Sequence, residues 1–359
     1  MDIPKKVRGF TFIQTYDPTS SETVTGGDTW FDPTLEYVRV WDDTKNRWTT
    51  IIDGKGYGYI CGGNDGIGDT FSTITERIEF ASDSSGSIQT ENMLTACDRA
   101  AACNSTNYGY IIGGSPDGTV TIFSTITRFS FPFSSGTMEK VGNLSGSIVS
   151  NSGCNSSIYG YSIGGYVTSS RSVMYRISFP FDSGTAPSNG NISGIRNGGS
   201  GFNSSTHGYS AGGHNDSSHI SIIDRIAFPH DSGIASTNGN LSLARNYSSG
   251  FNSSMFGYIS GGWTGSYHSI INRLIFPFEN GTTKVSGNLS EAKYASAGIN
   301  SSKAGYIVGG RNSTDSSIKT IENVIFSFDN GTSNIVSNIL NRRRYSNGLD
   351  TTDFNSLFA

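Results

Sequence analysis

The chain has few charged residues and no long basic run. Asp, Glu, Lys and Arg make up 15% of its 359 residues, and the formal net charge is −4. Binding to nucleic acid needs a clustered cationic face. The one basic cluster, Arg342-Arg343-Arg344, is too small to supply such a face. We therefore expect no nucleic-acid partner.

Long apolar segments are also missing. No stretch approaches the length that crosses a membrane, and residues 1–10 do not have the apolar core of a secretion signal. The sequence therefore predicts neither membrane insertion nor secretion. We expect the chain to be made in the cytoplasm.

Cysteine is scarce, and its spacing is unlike that of a metal site. The four cysteines are Cys61, Cys97, Cys103 and Cys154. A disulfide framework is typical of small secreted domains, whereas isolated thiols behave as small apolar side chains. We predict that these thiols are buried and bind no metal.

Glycine, by contrast, is abundant and periodic. The chain has 46 glycines, and the motif Gly-Tyr-x-x-Gly-Gly occurs six times, ending at Gly63, Gly114, Gly165, Gly213, Gly262 and Gly310. The steps between these glycines are 51, 51, 48, 49 and 48 residues. A period near 50 with paired glycines is typical of a kelch-type blade. The chain resembles a kelch-like β-propeller, which implies an all-β fold of six blades over residues 55–359.

The phase of the repeats predicts how the ring closes. Five motifs follow a first strand that ends in Asn-Ser-Ser or Asn-Ser-Thr, but residues 48–56, before the first motif, do not fit this pattern. The missing strand matches residues 343–350 at the other end of the chain. We therefore predict that residues near 343–352 pair beside Tyr57–Cys61. Closure of this kind removes the exposed edges of the sheet.

Two residues recur in almost every blade, and we interpret them as structural. A tyrosine follows the first glycine of each motif, and the third strands carry Arg77, Arg128, Arg176, Arg225 and Arg273, with Asn323 in the sixth. A ring of arginines could line a binding surface. We favour hydrogen bonds from the guanidinium groups to carbonyls of the neighbouring blade. The tyrosines are predicted to pack between blades.

Residues 1–54 do not repeat and form a separate segment. Tyr37–Trp41 alternates as a strand does, a turn follows, and Trp30, Trp41 and Trp48 could form an aromatic cluster for a small β-hairpin. The pattern Gly-Asp-x-Trp-x-Asp, then Val-x-Val-Trp-Asp, resembles a module of bacteriophage tail-fibre and virion structural proteins. That resemblance implies a virion protein whose first part attaches to other virion proteins. The alternative is that the hairpin only plugs or caps the propeller.

The loops after the glycine pairs differ from blade to blade, although the hairpins at the opposite end are nearly uniform. These loops contain Tyr166, His214, Asp216, Trp263, Tyr267, Arg311 and Asp315. Aromatic rings beside polar side chains suit recognition of a sugar or a protein. Variation in one class of loop therefore predicts a binding face. The alternative is that these loops vary because nothing constrains them.

Catalytic and metal-binding patterns are absent. His207, His214 and His219 fall in one repeat, but no carboxylate cluster joins them, and no paired carboxylates suggest a glycosidase. We expect no enzyme activity, cofactor or metal. The sequence favours a non-enzymatic phage virion protein, present in several copies, whose propeller recognises a host-surface glycan or protein. An intracellular kelch-like interaction scaffold is the alternative.

Overall fold

A computed structural model describes residues 12–13, 28–32, 37–42, 47–52, 56–66, 70–80, 86–314 and 316–351. The chain divides into two compact units, residues 1–56 with 79–82, and residues 57–78 with 83–359. All regular structure in the described residues is β-structure. The described part of the chain contains no helix able to cross a membrane.

The first unit contains a four-stranded sheet. Its strands are Phe12–Ile13, Thr29–Asp32, Tyr37–Asp42 and Arg47–Ile52. The last two form the predicted hairpin, in which Trp41 pairs with Trp48. The first two strands extend this hairpin, and their mutual pairing is parallel. Trp30 is buried, while the side chain of Trp48 lies outside the described residues.

The second unit is a six-bladed β-propeller, as the repeats predict. Each blade has four antiparallel strands, which we number first to fourth. The first strands are Asn347–Asp350, Ala101–Asn104, Ser152–Asn155, Ser200–Asn203, Ser249–Asn252 and Ala297–Asn300. The second strands are Tyr57–Cys61, Tyr108–Ile112, Tyr159–Ile163, His207–Ala211, Phe256–Ser260 and Ala304–Val308. Blades 1 to 6 follow this order.

The outer strands complete each blade. The third strands are Ile74–Glu79, Thr125–Ser130, Arg171–Ser178, Ile222–Ala227, Ile270–Ile275 and Thr320–Ile325. The fourth strands are Ile88–Asn92, Glu139–Leu144, Ser188–Arg196, Ser236–Asn240, Lys284–Asn288 and Asn334–Asn338. Three two-residue strands lie outside this pattern, at Thr185–Ala186, Lys293–Tyr294 and Arg311–Asn312. The first strands contact one another in a closed circle and therefore surround the propeller axis.

The carboxy-terminal strand closes the ring. Asn347 pairs with Cys61, and Asp350 pairs with Gly58, which confirms the predicted closure. A buried ion pair reinforces the joint, because Arg343 contacts the Glu76 carboxylate. Glu76 also accepts the backbone N–H of Leu340 at 2.7 Å. Hydrogen bonds between the two ends of the propeller sequence thus hold blade 1 together.

The glycine pair is required where successive blades meet. In blade 5, Gly261 and Gly262 have φ angles of +64° and +114°. A Cβ on Gly261 would lie 2.5 Å from the carbonyl oxygen of Lys293. A larger residue would therefore be strained in its backbone and would also collide with the segment that leads into blade 6.

The recurring tyrosine and arginine bind the same residue of the next blade. The backbone N–H of Phe181 donates to Tyr110 Oη at 3.1 Å, while Arg128 Nη1 donates to the Phe181 carbonyl at 3.2 Å. Tyr161 and Arg176 hold His230 in the same way. The prediction that both residues join blades is confirmed. The Phe-Pro-Phe motif supplies the peptide group that they hold.

All four cysteines are buried, as predicted. Burial raises the pKa of the Cys61 thiol to about 12, and the thiols of the other three shift in the same direction. The reactive thiolate form is therefore disfavoured. These side chains belong to the packing between blades rather than to any chemistry.

Candidate functional site

The loops that follow the glycine pairs lie at one end of the propeller, which we call the loop face. The segments that join successive blades lie at the same end. In blade 5, for example, Trp263 pairs with Asn246 of the joining segment and with Tyr267 of its own loop. The opposite end, where the first and second strands are connected, is the hairpin face. The predicted binding residues that the structure describes therefore lie at the loop face.

At the loop face a ring of six residues surrounds the axis, one at the start of each first strand. We call it the loop-mouth ring, and its members are Arg99, Ser150, Gly198, Tyr247, Ala295 and Tyr345. Each backbone N–H donates to the carbonyl of the preceding member at 2.7–3.0 Å, so the six bonds form a closed circle. All six residues have φ between +50° and +61°. Five of them are not glycine, although this conformation costs such residues about 1–2 kcal/mol each.

The loop-mouth ring encloses a cavity of about 120 Å³, which we call the axial cavity. Its wall also includes the residue after each ring member, among them Asn151, Ser248, Ser296 and Ser346. Arg99 is the only charged residue in that wall.

Arg99 is fixed from two sides. Its Nη1 lies 3.2 Å from the Asp98 carboxylate, and its guanidinium carbon lies 3.9 Å from the centre of the Tyr345 ring. Burial lowers the pKa of Arg99, but the electrostatic contributions of Asp98, Tyr345 and Tyr247 together outweigh this effect, and the net pKa is raised. The guanidinium therefore stays charged. Its side chain is 18% exposed.

Five aromatic side chains continue from the loop-mouth ring across blades 5 and 6. We call this set the aromatic cluster: Tyr247, Trp263, Tyr267, Tyr294 and Tyr345. Tyr294 is central, with ring centres 5.5 Å from both Trp263 and Tyr267. Arg311 Nη1 donates to Tyr294 Oη at 3.3 Å. The cluster occupies one side of the loop face only.

Three of the predicted binding residues thus come together, and the others do not join them. Trp263, Tyr267 and Arg311 all contact Tyr294. Asp315 lies outside the described residues. His214 and Asp216, both in the loop of blade 4, form a separate group.

That second group ties the loops of blades 3 and 4. The Asp216 carboxylate accepts the backbone N–H of Ser170 at 2.9 Å and its hydroxyl at 2.6 Å, and these bonds lower the pKa of Asp216. The His214 ring lies 5.0 Å from that of His219. Burial, followed by the charges of His214 and His268, lowers the pKa of His219. Asp216 therefore serves to connect two loops.

Tyr166 begins the loop of blade 3 and pairs through its backbone with Val149 and Ser170. Its ring is half-buried and belongs to neither group. Among the described residues, no set of three His, Cys, Asp or Glu side chains is arranged to hold a metal ion.

Sequence reasoning missed four residues of this site: Arg99, Tyr247, Tyr294 and Tyr345. They lie in the segments that join blades, which were aligned as the beginnings of first strands. Arg99, Tyr247 and Tyr345 have a left-handed backbone that ends this similarity, and the first strand of blade 5 begins only at Ser249. One signal was present in the sequence. The column Arg99, Ser150, Gly198, Tyr247, Ala295 and Tyr345 varies as much as the loops do.

Comparison with known proteins supports the fold. No protein-family model matches the chain, and no curated protein matches its sequence. Among solved structures, that of YjhT is similar, with a TM-score of 0.63 and 11% identity. The similarity covers 77% of this chain and 96% of that one. At this identity it establishes the six-bladed propeller arrangement and nothing about activity.

Proposed function

We propose that this chain is a non-enzymatic recognition protein of a bacteriophage particle. In this proposal, residues 1–54 attach to other virion proteins, and the propeller is displayed in several copies. Its loop face binds a glycan or protein on the host surface. The attachment role rests on the Trp30, Trp41 and Trp48 motif in the sequence.

The observation that carries the recognition role is the aromatic cluster. Its rings are half-buried, come from two blades and the closing segment, and lie beside Arg99 and Arg311. Aromatic faces with adjacent hydrogen-bonding groups are the usual means of holding sugars and polar protein surfaces. The blade cores need only one tyrosine each, so further aromatic residues at the loop face are not explained by packing between blades.

The test is the double substitution Trp263→Ala and Tyr267→Ala. We expect adsorption of the particle, or of the purified chain, to host cells to fall at least tenfold, with a small change in melting temperature. Met255→Ala is the matched control, because Met255 is 60% exposed at the hairpin face of the same blade. Unchanged adsorption of the double variant would refute the recognition role.

A second experiment separates the virion proposal from an intracellular scaffold. Removing residues 1–54 should leave a folded propeller that no longer enters particles. A full-length chain that is absent from purified particles would favour the scaffold instead.

A further inference from the structure

We infer that Asn280 and Asn330 are sites of spontaneous deamidation, and that this modification loosens the joints between blades 4, 5 and 6. The inference does not depend on the recognition role of the loop face. It starts from the Asn-Gly dipeptide, in which the labile asparagine precedes a glycine. This dipeptide occurs six times in the chain, at Asn189, Asn197, Asn238, Asn280, Asn330 and Asn347.

An Asn-Gly dipeptide contains both groups that react in deamidation. The peptide nitrogen of the glycine attacks Cγ of the asparagine, the N–Cγ bond forms, and the Cγ–Nδ2 bond breaks. Nδ2 leaves as ammonia with the proton of the peptide N–H, and a cyclic succinimide remains. Water then opens the ring at either carbonyl group, which yields aspartate or isoaspartate. Glycine favours the attack because it has no Cβ beside the nitrogen.

Hydrogen bonds hold four of the six side chains. Asn189 Nδ2 donates to the His230 carbonyl at 2.8 Å. Asn238 Nδ2 donates to the Glu279 carbonyl at the same distance. Both asparagines are buried, at 8% and 6% exposure. Such an amide must break its bonds before Cγ can turn toward the next peptide nitrogen. The other two that are held through Nδ2 are Asn197 and Asn347.

Asn280 and Asn330 are different, because both are exposed in the connections between third and fourth strands. No hydrogen bond holds either side chain within the part of the chain that the structure describes. The glycines that follow them are also exposed, and a Cβ on Gly281 or Gly331 would meet no atom within 4 Å. A Cβ on Gly239 would instead lie 2.3 Å from a carbonyl oxygen of blade 5. These two peptides are therefore open to ring closure.

Both dipeptides lie where one blade is joined to the next at its outer edge. The Gly281 carbonyl accepts the backbone N–H of Asn240, in the fourth strand of blade 4, at 2.8 Å. The Gly331 carbonyl accepts that of Asn288, in the fourth strand of blade 5, at 2.9 Å. In isoaspartate the chain runs through Cβ and Cγ, so the backbone gains a carbon just before these carbonyls. The hydrogen bonds of both joints should weaken.

Either product also adds a negative charge to these connections. Glu279 precedes the first site and pairs with Arg225, while Asp329 precedes the second and pairs with Arg273. A new carboxylate next to Glu279 or Asp329 repels it, but the groups are exposed and solvent screens the repulsion. The additional backbone carbon should therefore matter more than the charge.

The test is to age the full chain at mildly alkaline pH, folded and in unfolding urea, and to follow each Asn-Gly peptide by mass spectrometry. In the folded chain we expect Asn280 and Asn330 to react at least about tenfold faster than Asn189 and Asn238, which react only after local opening. In urea the rates should become similar, because all six asparagines then precede an unhindered glycine. Isoaspartate is detected by protein isoaspartate methyltransferase with labelled S-adenosylmethionine.

Asn280→Ser with Asn330→Ser is the matched variant, because serine stands at this position in Ser135, Ser183 and Ser232 of blades 2 to 4. Ageing should lower the melting temperature of the unaltered chain more than that of the variant.

Three results would overturn the inference. Equal rates at the held and the exposed asparagines of the folded chain would show that the structure does not select the sites. Reaction at Asn280 and Asn330 in urea only would reject them as sites in the native protein. Deamidation that leaves the melting temperature unchanged would reject the effect on the joints. The rates at single sites are measured on the unaltered chain, so they decide the matter even if the variant does not fold.

Discussion

The two mouths of the propeller axis are built from the two ends of the same six first strands, yet they differ in how neighbouring blades are joined. At the hairpin face the strands end in Asn104, Asn155, Asn203, Asn252, Asn300 and Asp350. Oδ1 of Asn155 accepts the backbone N–H of Asn104 at 3.4 Å, and the same contact recurs between the following blades up to Asp350. We call this set the asparagine ring. At the loop face the corresponding bonds run from backbone to backbone.

This difference explains why one mouth is uniform and the other varied. Where the side chain makes the joint, its identity is restricted to Asn or Asp. Where the peptide groups make the joint, the side chains take no part in it, and their identity is not restricted. Arg99, Ser150 and Tyr247 can then occupy equivalent positions. The loop mouth is therefore the place where this fold can acquire a ligand site without losing its closure.

Removing the closing segment should have the largest effect, because it takes one member from each ring. A chain that ends at Leu340 lacks Arg343, Tyr345 and Asp350. We expect cooperative unfolding in urea, followed by circular dichroism, to be lost. A chain that ends at Thr351 keeps every described strand and is the control. If the shorter chain unfolded in urea with the same cooperative transition as the control, neither ring would need to be complete.

Substitution of the buried arginines next to the loop-mouth ring should lower the free energy of unfolding more than substitution of a residue of the ring itself. Arg343→Met leaves Glu76 buried without its cation, and loss of one partner of a buried ion pair costs about 3–5 kcal/mol of unfolding free energy. Arg245 occupies the equivalent position, but Asn272 stands where blade 1 has Glu76, and burial lowers the pKa of Arg245 to about 10.

Arg245→Met is therefore the control for the preceding change. It removes donors from carbonyls only, such as that of Ile259 at 3.2 Å, and we expect a loss of about 1–2 kcal/mol. Denaturant titration of both variants measures the difference. Equal losses of unfolding free energy would mean that the ion pair with Glu76 does not stabilise the closure of the ring.

Within the asparagine ring, Asn300→Ala should lower the unfolding free energy by about 1–3 kcal/mol. The substitution leaves the backbone N–H of Asn252 without the acceptor that now lies 2.7 Å away. Chemical denaturation gives the value. A change below about 0.5 kcal/mol would contradict the structural role assigned to this ring.

Ala295→Gly, in the segment just before the strand that ends in Asn300, should have the smallest effect. The backbone bonds of the loop-mouth ring survive, and glycine relieves the positive φ of 56°. Greater freedom of glycine in the unfolded chain offsets this gain, so the net change should stay below about 1 kcal/mol. A loss as large as that of Asn300→Ala would remove the distinction between the two mouths.

Much of the fold could be predicted because six copies of one repeat can be aligned with one another within this chain. The six motifs gave the blade number, and the misplaced first strand gave the closure with Asn347 beside Cys61. The roles of Tyr110 and Arg128 followed from their regular spacing. The candidate site was harder to predict, since each of its residues occurs in one blade only and is not marked by the repeat. Trp263, Tyr267 and Arg311 were found through loop variation, whereas Arg99, Tyr294 and Tyr345 were not.

The amino-acid sequence alone determined the architecture of this protein, since period, glycine pairs and strand patterns act locally and repeat six times. Only the tertiary structure decided which residues surround the axis. Arg99 and Tyr345 are 246 positions apart in the chain, and they become neighbours because the carboxy-terminal strand completes blade 1, next to blade 2. The bond that joins them involves peptide groups, which every residue possesses. The side-chain pattern therefore marks these positions only by their variation from blade to blade.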